Sequence, residues 1–339
     1  MPATPASVPQ GGARWNVIRH SVRGVTDNTV TFVRVLRTPD DRFTELPDFA
    51  YEPHYAEVPD PEGGGMLRLA YVAAGPTDGP VVLLLHGEPS WSYLYRTMLP
   101  VLANAGLRAI APDLVGFGRS DKPAEVTDHS YARHVEWLRS FVGDVLDLRG
   151  VTLVGQDWGG LLGLRLVAEH PDRFAGIVAA NTGLPTGDQE MPEEWWDFHD
   201  TVANAPTLDV ARFVRAGTRS ELPAGVCAAY DAPFPDETYK AGPRALPALV
   251  PTDPDDPASD ANRFAWAKLS MMDIPFLCAF ADSDPITGSM KSVLLRTMRG
   301  AQELDHPVIV DAGHFLQEDA GEQLARVVAD FVQHRVVAA

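Results

Sequence analysis

An α/β fold, with a mostly parallel sheet covered by helices, is expected from this chain. Short apolar runs alternate with segments of helical periodicity from about residue 67 to residue 180. The run at 81–85 is apolar throughout, as in a parallel strand buried on both faces. Reactive polar residues directly follow several of these runs, at the sheet edge where open α/β sheets gather their ligands.

The core elements are assigned in chain order from these runs. Strands are expected at 67–73, 81–85, 107–111, 151–154, 174–180, 274–280 and 306–310, and helices at 91–105, 134–148, 161–169 and 318–332. Val135, Leu138 and Val142 have the spacing of one helix face. The turn cluster at 75–80 and Pro112 separate neighbouring elements.

The composition of the chain changes after Pro185. Residues 186–265 hold many prolines and an acidic run at 252–257, with no clear strand. We interpret them as a mainly helical cap inserted into a core formed by 37–185 and 266–339. Residues 1–36 carry several arginines and are interpreted as a flexible N-terminal extension.

Charge and composition restrict the classes of partner. The 339-residue chain has a formal net charge of −18, which disfavours nucleic acid and anionic membrane as partners. It contains no apolar run long enough to span a bilayer, and its two cysteines lack metal-type spacing. No cofactor and no metal is expected, and the first 13 residues do not resemble a signal peptide, so the cytoplasm is the expected location. The oligomeric state is left open.

The most informative segment is Gln-Asp-Trp-Gly-Gly at 156–160, which follows a predicted strand and opens a predicted helix. This is the layout of the G-x-S-x-G nucleophile elbow, but Asp157 stands at the serine position. A carboxylate needs no activating base and can displace a leaving group from an alkyl carbon, which gives an ester that must then be cleaved. Asp157 therefore predicts a hydrolase of carbon electrophiles.

Later strands are followed by an acid and a histidine. Asp282 and Asp284 come after the strand at 274–280, and His314 comes after the strand at 306–310. The order nucleophile, acid, histidine is that of the α/β hydrolases. A lone aspartate at a strand end is usually a turn or cap residue, so the joint occurrence carries the prediction. We predict Asp157 as nucleophile, His314 as general base and Asp284 as its acid partner, since Asp284 opens an Asp-Pro-Ile-Thr-Gly turn.

A fourth segment, His-Gly-Glu-Pro at 86–89, follows the strand at 81–85. Its backbone is placed to supply one N–H of an oxyanion hole, from Glu88. The second N–H is expected from Trp158, the residue after the nucleophile. We interpret His86 as shaping this loop rather than transferring protons.

Taken together, four motifs resemble those of the haloalkane dehalogenases. They are the sequences at 86–96, 112–123, 156–160 and 312–315. Glu88 and the Tyr-Asp-Ala-Pro-Phe-Pro-Asp run at 230–236 are similar to one subfamily, in which the acid follows the cap. The resemblance covers residues 37–335 and implies an α/β-hydrolase fold with a helical cap.

The resemblance implies a two-step reaction. Asp157 attacks the halogen-bearing carbon of a small halogenated alkane, and the halide leaves. His314, held by Asp284, then activates the water that cleaves the ester.

Halide binding is implied for two tryptophans. An indole N–H is a donor that does not ionise, and Trp158 lies beside the nucleophile. The subfamily takes a second tryptophan from the cap, for which Trp195 and Trp196 are the candidates. A gapless match places Phe198 there instead, so the register of the second ligand stays open.

The nearest alternative is an epoxide hydrolase with the same three catalytic residues. Such an enzyme needs cap tyrosines that protonate the opening oxygen, and Tyr230 and Tyr239 are available. Glu88 and the run at 230–236 favour the dehalogenase. A non-catalytic binding protein on this fold is disfavoured because no member of the triad is missing.

Overall fold

The structure is a computed structural model that describes residues 33–62 and 65–337. In chain order its strands are β1 (Val35–Leu36), β2 (His54–Pro59), β3 (Met66–Ala74), β4 (Val81–Leu85), β5 (Arg108–Pro112), β6 (Lys122–Pro123), β7 (Val151–Gln156), β8 (Phe174–Ala180), β9 (Phe276–Cys278), β10 (Phe280–Ala281) and β11 (Val308–Ile309). Its α-helices are α1 (Met98–Asn104), α2 (Tyr131–Arg139), α3 (Trp158–Glu169), α4 (Glu193–Asn204), α5 (Val210–Ala216), α6 (Ala224–Asp231), α7 (Ala241–Ala245), α8 (Ser259–Leu269), α9 (Met290–Thr297) and α10 (Leu316–Phe331).

A seven-stranded sheet in the order β2-β3-β5-β4-β7-β8-β9 forms the core. The strands from β5 to β9 pair in parallel, whereas β2 and β3 are antiparallel at one edge. A second parallel pair, β10 with β11, follows the end of β9. The predicted mostly parallel sheet is confirmed, and β4 and β7 lie at its buried centre.

Several predicted elements are shorter than expected, for local reasons. The expected helix at 91–105 is a 3₁₀ turn (Ser92–Tyr95) followed by α1. Pro100 explains the break. Proline has no backbone N–H to donate, and its ring clashes with the carbonyl of a helical residue four positions earlier. The helix expected at 134–148 continues from α2 into a π-helical turn (Ser140–Val145). Strand β2 was missed by the sequence reasoning, although its residues 55–59 alternate between exposed and buried.

Two predicted boundaries differ from the structure: the start of the core at residue 37 and the end of the cap at residue 265. Residues 1–32 lie outside the described residues, but β1 pairs antiparallel with β6, so the core begins before residue 37. The insertion that follows β8 is helical and contains α4 to α7. The predicted boundary after residue 265 falls inside α8, whose Asn262 bonds both Arg165 of α3 and the Pro185 carbonyl. We therefore assign α8 to the core.

Among the helices that the structure describes, none has the length and apolar content to cross a membrane.

Candidate active site

Asp157 occupies the sharp turn between β7 and α3. Its φ of 49° lies in the left-handed region, which non-glycine residues adopt rarely. Hydrogen bonds hold the turn on both sides: the Asp157 N–H donates to the Asn181 carbonyl at 3.0 Å, and the Thr182 hydroxyl donates to the Asp157 carbonyl at 2.8 Å. A Cβ on Gly155 would lie 2.6 Å from Gly160 Cα, so the turn requires glycine there. The strained turn places the Asp157 carboxylate beyond the carboxyl end of β7, where it lines the cavity described below.

One carboxylate oxygen of Asp157 already lies in the expected oxyanion site. The Glu88 N–H donates to Asp157 Oδ1 at 2.8 Å. The amide of Trp158 belongs to the first turn of α3, where N–H groups have no acceptor within the helix. Oδ2 is left facing His314, with 3.6 Å between it and Nε2. The two oxygens are therefore not equivalent: Oδ1 accepts a backbone amide, whereas Oδ2 faces the imidazole of His314.

His314 lies between the two carboxylates. It is buried, and its Nδ1 is 3.1 Å from Asp284 Oδ1. Burial opposes a charged imidazole, but the charge of Asp284 and hydrogen bonds with Asp157 and Asp284 outweigh it and raise the pKa of His314 to about 10. The surroundings of His314 therefore favour its protonated form, with Asp284 bonded to Nδ1 and Asp157 Oδ2 close to Nε2.

Asp284, rather than Asp282, contacts the histidine. Burial tends to raise the pKa of Asp284, but the charge of His314 and hydrogen bonds from His314, Thr287 and Ile286 lower it overall. Asp282 is exposed and instead accepts the N–H groups of Asp311 and Ala312.

The Glu88 side chain is a buried acid at the edge of the cavity. Burial, followed by the negative charge of Asp157, raises its pKa well above the usual range, against the opposing effect of His314. Its Oε1 has no hydrogen-bond partner among the described residues. His86 beside it is buried; its Nδ1 lies 2.9 Å from the Gly87 carbonyl and its Nε2 accepts the Leu114 N–H. These bonds support the interpretation that His86 shapes the loop.

A cavity of about 800 Å³ lies over Asp157, between the core and the cap. This volume is in the range of small-molecule sites. Its wall includes apolar cap and core side chains, among them Phe198, Phe213, Ile286, Met290 and Val293. In residues 33–62 and 65–337, no three His, Cys, Asp or Glu side chains cluster as metal ligands would.

The candidate tryptophans occupy different surroundings. Trp158 and Trp195 line the cavity, and Trp195 is 6% exposed. Trp196 is 41% exposed and is not part of the cavity wall. The indole of Trp195 stacks on His199, with its edge toward Trp196. Phe198 also lines the cavity but carries no donor.

Neither tyrosine of the epoxide hydrolase alternative reaches this cavity. Tyr230 is buried, and its hydroxyl donates to Glu318, which also pairs with Arg96. Tyr239 is half-buried and is absent from the cavity wall. Among the described residues, no tyrosine lines the cavity.

Two residues at the site were missed by the sequence reasoning. Gln156 Nε2 lies 3.2 Å from His314 Nε2 and donates to the His314 carbonyl. Asn181 directly follows β8 and bonds the backbone of the histidine loop. A signal was present, since Asn181 and Thr182 are polar residues at the carboxyl end of a parallel strand, where the other site residues also lie.

Comparisons with known proteins show the family to which the chain is similar. The family model of the alpha/beta hydrolase fold matches residues 80–321. The chain is 51% identical over 300 residues to a haloalkane dehalogenase of Psychrobacter cryohalolentis, a match that covers 88% of this chain and 98% of that protein. It is 50% identical over 299 residues to haloalkane dehalogenase 1 of Mycobacterium tuberculosis H37Rv, covering 88% and 99%. The tetrameric structure of haloalkane dehalogenase DpaA from Paraglaciecola agarilytica NO2 superposes with a TM-score of 0.79 at 36% identity, covering 87% of this chain and 97% of that one.

Proposed function

The chain belongs to the haloalkane dehalogenase family of α/β hydrolases, and from that premise we propose how its site converts a haloalkane and water to an alcohol and a halide. The reaction proceeds through a covalent alkyl ester of Asp157. One observation carries this proposal: Asp157 lines a cavity of about 800 Å³, with Oδ1 held by the Glu88 amide and Oδ2 3.6 Å from His314 Nε2. The substrate is a small halogenated alkane, and the cytoplasm stays the location predicted from the sequence.

In the first step, Asp157 Oδ2 attacks the saturated carbon in line with the halogen. A carbon–oxygen bond forms, and the halide departs with the electron pair of the broken bond. Trp158 and Trp195 donate their indole N–H groups to the departing anion. We assign the second position to Trp195 because it lines the cavity, whereas Trp196 points to solvent.

Esterification of Asp157 then lowers the pKa of His314. The ester carries no charge, so the contribution of Asp157 to the raised pKa of His314 is lost. Once His314 has released its proton to solvent, the neutral imidazole takes a proton from water, with Asp284 stabilising the imidazolium that forms.

In the second step, hydroxide attacks Asp157 Cγ. The negative charge develops on Oδ1, to which the Glu88 N–H already donates at 2.8 Å. The second donor is the Trp158 N–H, which has no acceptor within α3. Cleavage of the Cγ–Oδ2 bond releases the alcohol, which takes the proton from His314. The water oxygen stays in the Asp157 carboxylate.

The cavity wall argues against the epoxide hydrolase. Opening an epoxide produces an alkoxide, which needs an acid beside it, whereas a halide leaves as a stable anion. The phenol of Tyr230 is bound to Glu318 instead, and Tyr239 lies outside the wall. Among residues 33–62 and 65–337, the site therefore holds indole donors for a halide and no tyrosine for an alkoxide.

Two measurements test the proposal. Halide release is measured from 1-bromoalkanes, with terminal epoxides as the competing substrates; diol formation without halide release would favour the epoxide hydrolase. The His314→Gln variant should release one equivalent of halide and then stop, since the ester forms but no base activates water. Intact-mass spectrometry should show this variant carrying the alkyl group, and an unmodified mass after substrate turnover would refute the ester.

A further inference from the structure

We propose that Asn181 is a positioning residue, which holds the general base and its acid partner in register with the nucleophile. The inference rests on the proposed function. Asn181 is fully buried at the end of β8, and the three segments that carry Asp157, Asp284 and His314 all bond to it.

The side chain of Asn181 bridges two of these segments. Its Nδ2 donates to the Gly313 carbonyl at 2.8 Å and to the His314 carbonyl at 3.0 Å. Its Oδ1 accepts the N–H of Ala281, three residues before Asp284, at 2.9 Å. The partners are backbone groups whose donor or acceptor role is fixed. They therefore determine which atom of the side-chain amide is Oδ1 and which is Nδ2.

The backbone of Asn181 serves the third segment. Its carbonyl accepts the Asp157 N–H at 3.0 Å, and its φ of 43° lies in the left-handed region. Asparagine tolerates this conformation better than most residues because its short side chain bonds locally. One residue therefore joins the nucleophile through its backbone, and the base and acid segments through its side chain.

This division predicts a selective effect on the two chemical steps. Loss of the side chain leaves the carbonyl that holds Asp157, so alkylation should continue. The loop that carries His314 loses two donors, and the strand end before Asp284 loses its acceptor. Gln156 still donates to the His314 carbonyl, so the loop should shift rather than detach. Hydrolysis of the ester depends on His314 and should slow.

Two variants separate the side-chain bonds from the backbone conformation. Asn181→Asp keeps the shape but replaces the donor with an oxygen that faces two carbonyls. Asn181→Gly deletes the side chain and tolerates the positive φ. In rapid-quench experiments with a 1-bromoalkane, we expect ester hydrolysis to slow by about 10- to 100-fold, the range that small misplacements of catalytic groups produce. We expect the halide burst rate to stay within about threefold, so that the alkylated fraction of enzyme rises at steady state.

Asn262→Asp is the matched control, because Asn262 is also fully buried but bonds Arg165 and the Pro185 carbonyl instead. It should leave the ratio of hydrolysis to alkylation unchanged, whatever its effect on thermal stability. Rates are taken per active site from the burst amplitude, so loss of folded protein does not imitate the effect. Parallel loss of both rates in the Asn181 variants, or an unchanged ratio, would overturn the inference. A wild-type enzyme that releases no halide would overturn the proposed function as well.

Discussion

The two oxygens of Asp157 have unequal surroundings before any substrate arrives. Oδ1 is bonded to the Glu88 amide, and Oδ2 lies 3.6 Å from His314 Nε2. In the proposed mechanism the oxyanion donor of Glu88 is therefore already in place in the resting enzyme, and no rearrangement of the carboxylate is needed between the steps. Preorganised donors of this kind are often the largest single contribution to catalysis.

Adjacent tryptophans of the cap offer a matched test of halide binding. Trp195→Phe should weaken bromide binding by about 1.5–3 kcal/mol, or about 10- to 100-fold, because a hydrogen bond to an anion is lost. Trp196→Phe removes one indole from the exposed side and should leave the affinity within about twofold. Quenching of protein fluorescence by bromide measures both. Equal weakening in the two variants would argue against the assignment of Trp195.

The raised pKa of His314 makes stability depend on pH. The pKa of His314 is raised from 6.5 to about 10 on folding, so the folded state binds the proton more tightly. The stabilisation is fully present below pH 6.5 and is lost as the pH rises toward 10. Urea unfolding should therefore show wild-type stability falling over this range more steeply than that of His314→Gln. Parallel curves for the two proteins would contradict the pairing.

The His-Gly-Glu-Pro loop and the nucleophile turn are packed against each other. A Cβ on Gly87 would lie 2.6 Å from Gln156 Oε1 and would also clash with the Asp157 side chain. Two elements that approach this closely leave the Glu88 amide little freedom. The proposed oxyanion hole therefore depends on two adjoining turns rather than on Glu88 alone.

Gly87→Ala should displace the Glu88 amide from Asp157. Because removing one oxyanion donor typically slows turnover by about 10²–10³-fold, we expect a loss of that order in kcat. Gly65→Ala is the control, since its new Cβ meets nothing within 4 Å. Steady-state halide release measures both variants. Normal kcat in Gly87→Ala would show that the loop adapts and that the contact does not set the oxyanion geometry.

The cap and the core are joined by a buried charged cluster. Glu318 of α10 accepts two bonds from Arg96, at 2.5 and 2.6 Å, and also the Tyr230 hydroxyl of cap helix α6. Glu318 lies four residues after His314. The cluster therefore links the attachment of the cap to the loop that carries the base.

Glu318→Gln should destabilise the protein strongly, because Arg96 is left buried without its counter-charge. Removing one partner of a buried pair typically costs about 3–5 kcal/mol. Glu322→Gln breaks an exposed pair with Arg326 and should change stability by less than about 0.5 kcal/mol. Urea unfolding curves give both values. Similar small effects in the two variants would mean that the buried cluster contributes no more than a surface pair.

The positions of the candidate catalytic residues were open to prediction because the fold class constrains them. Carboxyl ends of parallel strands share one edge of a sheet, so Asp157, Asp284 and His314 were expected to lie close together, and they do. The sequence predicted the bounds of individual helices less well than the positions of the site residues. Pro100 splits the helix expected at 91–105, and α8 runs through the boundary expected after residue 265.

Fold class, family and the chemistry of the nucleophile follow from periodicity, motif order and an aspartate at the elbow, all of which are local in the chain. Which cap tryptophan faces the cavity, where Tyr230 donates, and the three-way bonding of Asn181 emerge only in three dimensions. Neighbouring helix residues differ by about 100° in direction, so Trp195 and Trp196 cannot be distinguished until α4 is packed on its neighbours. Contacts between segments far apart in the chain depend on packing, which no single segment encodes.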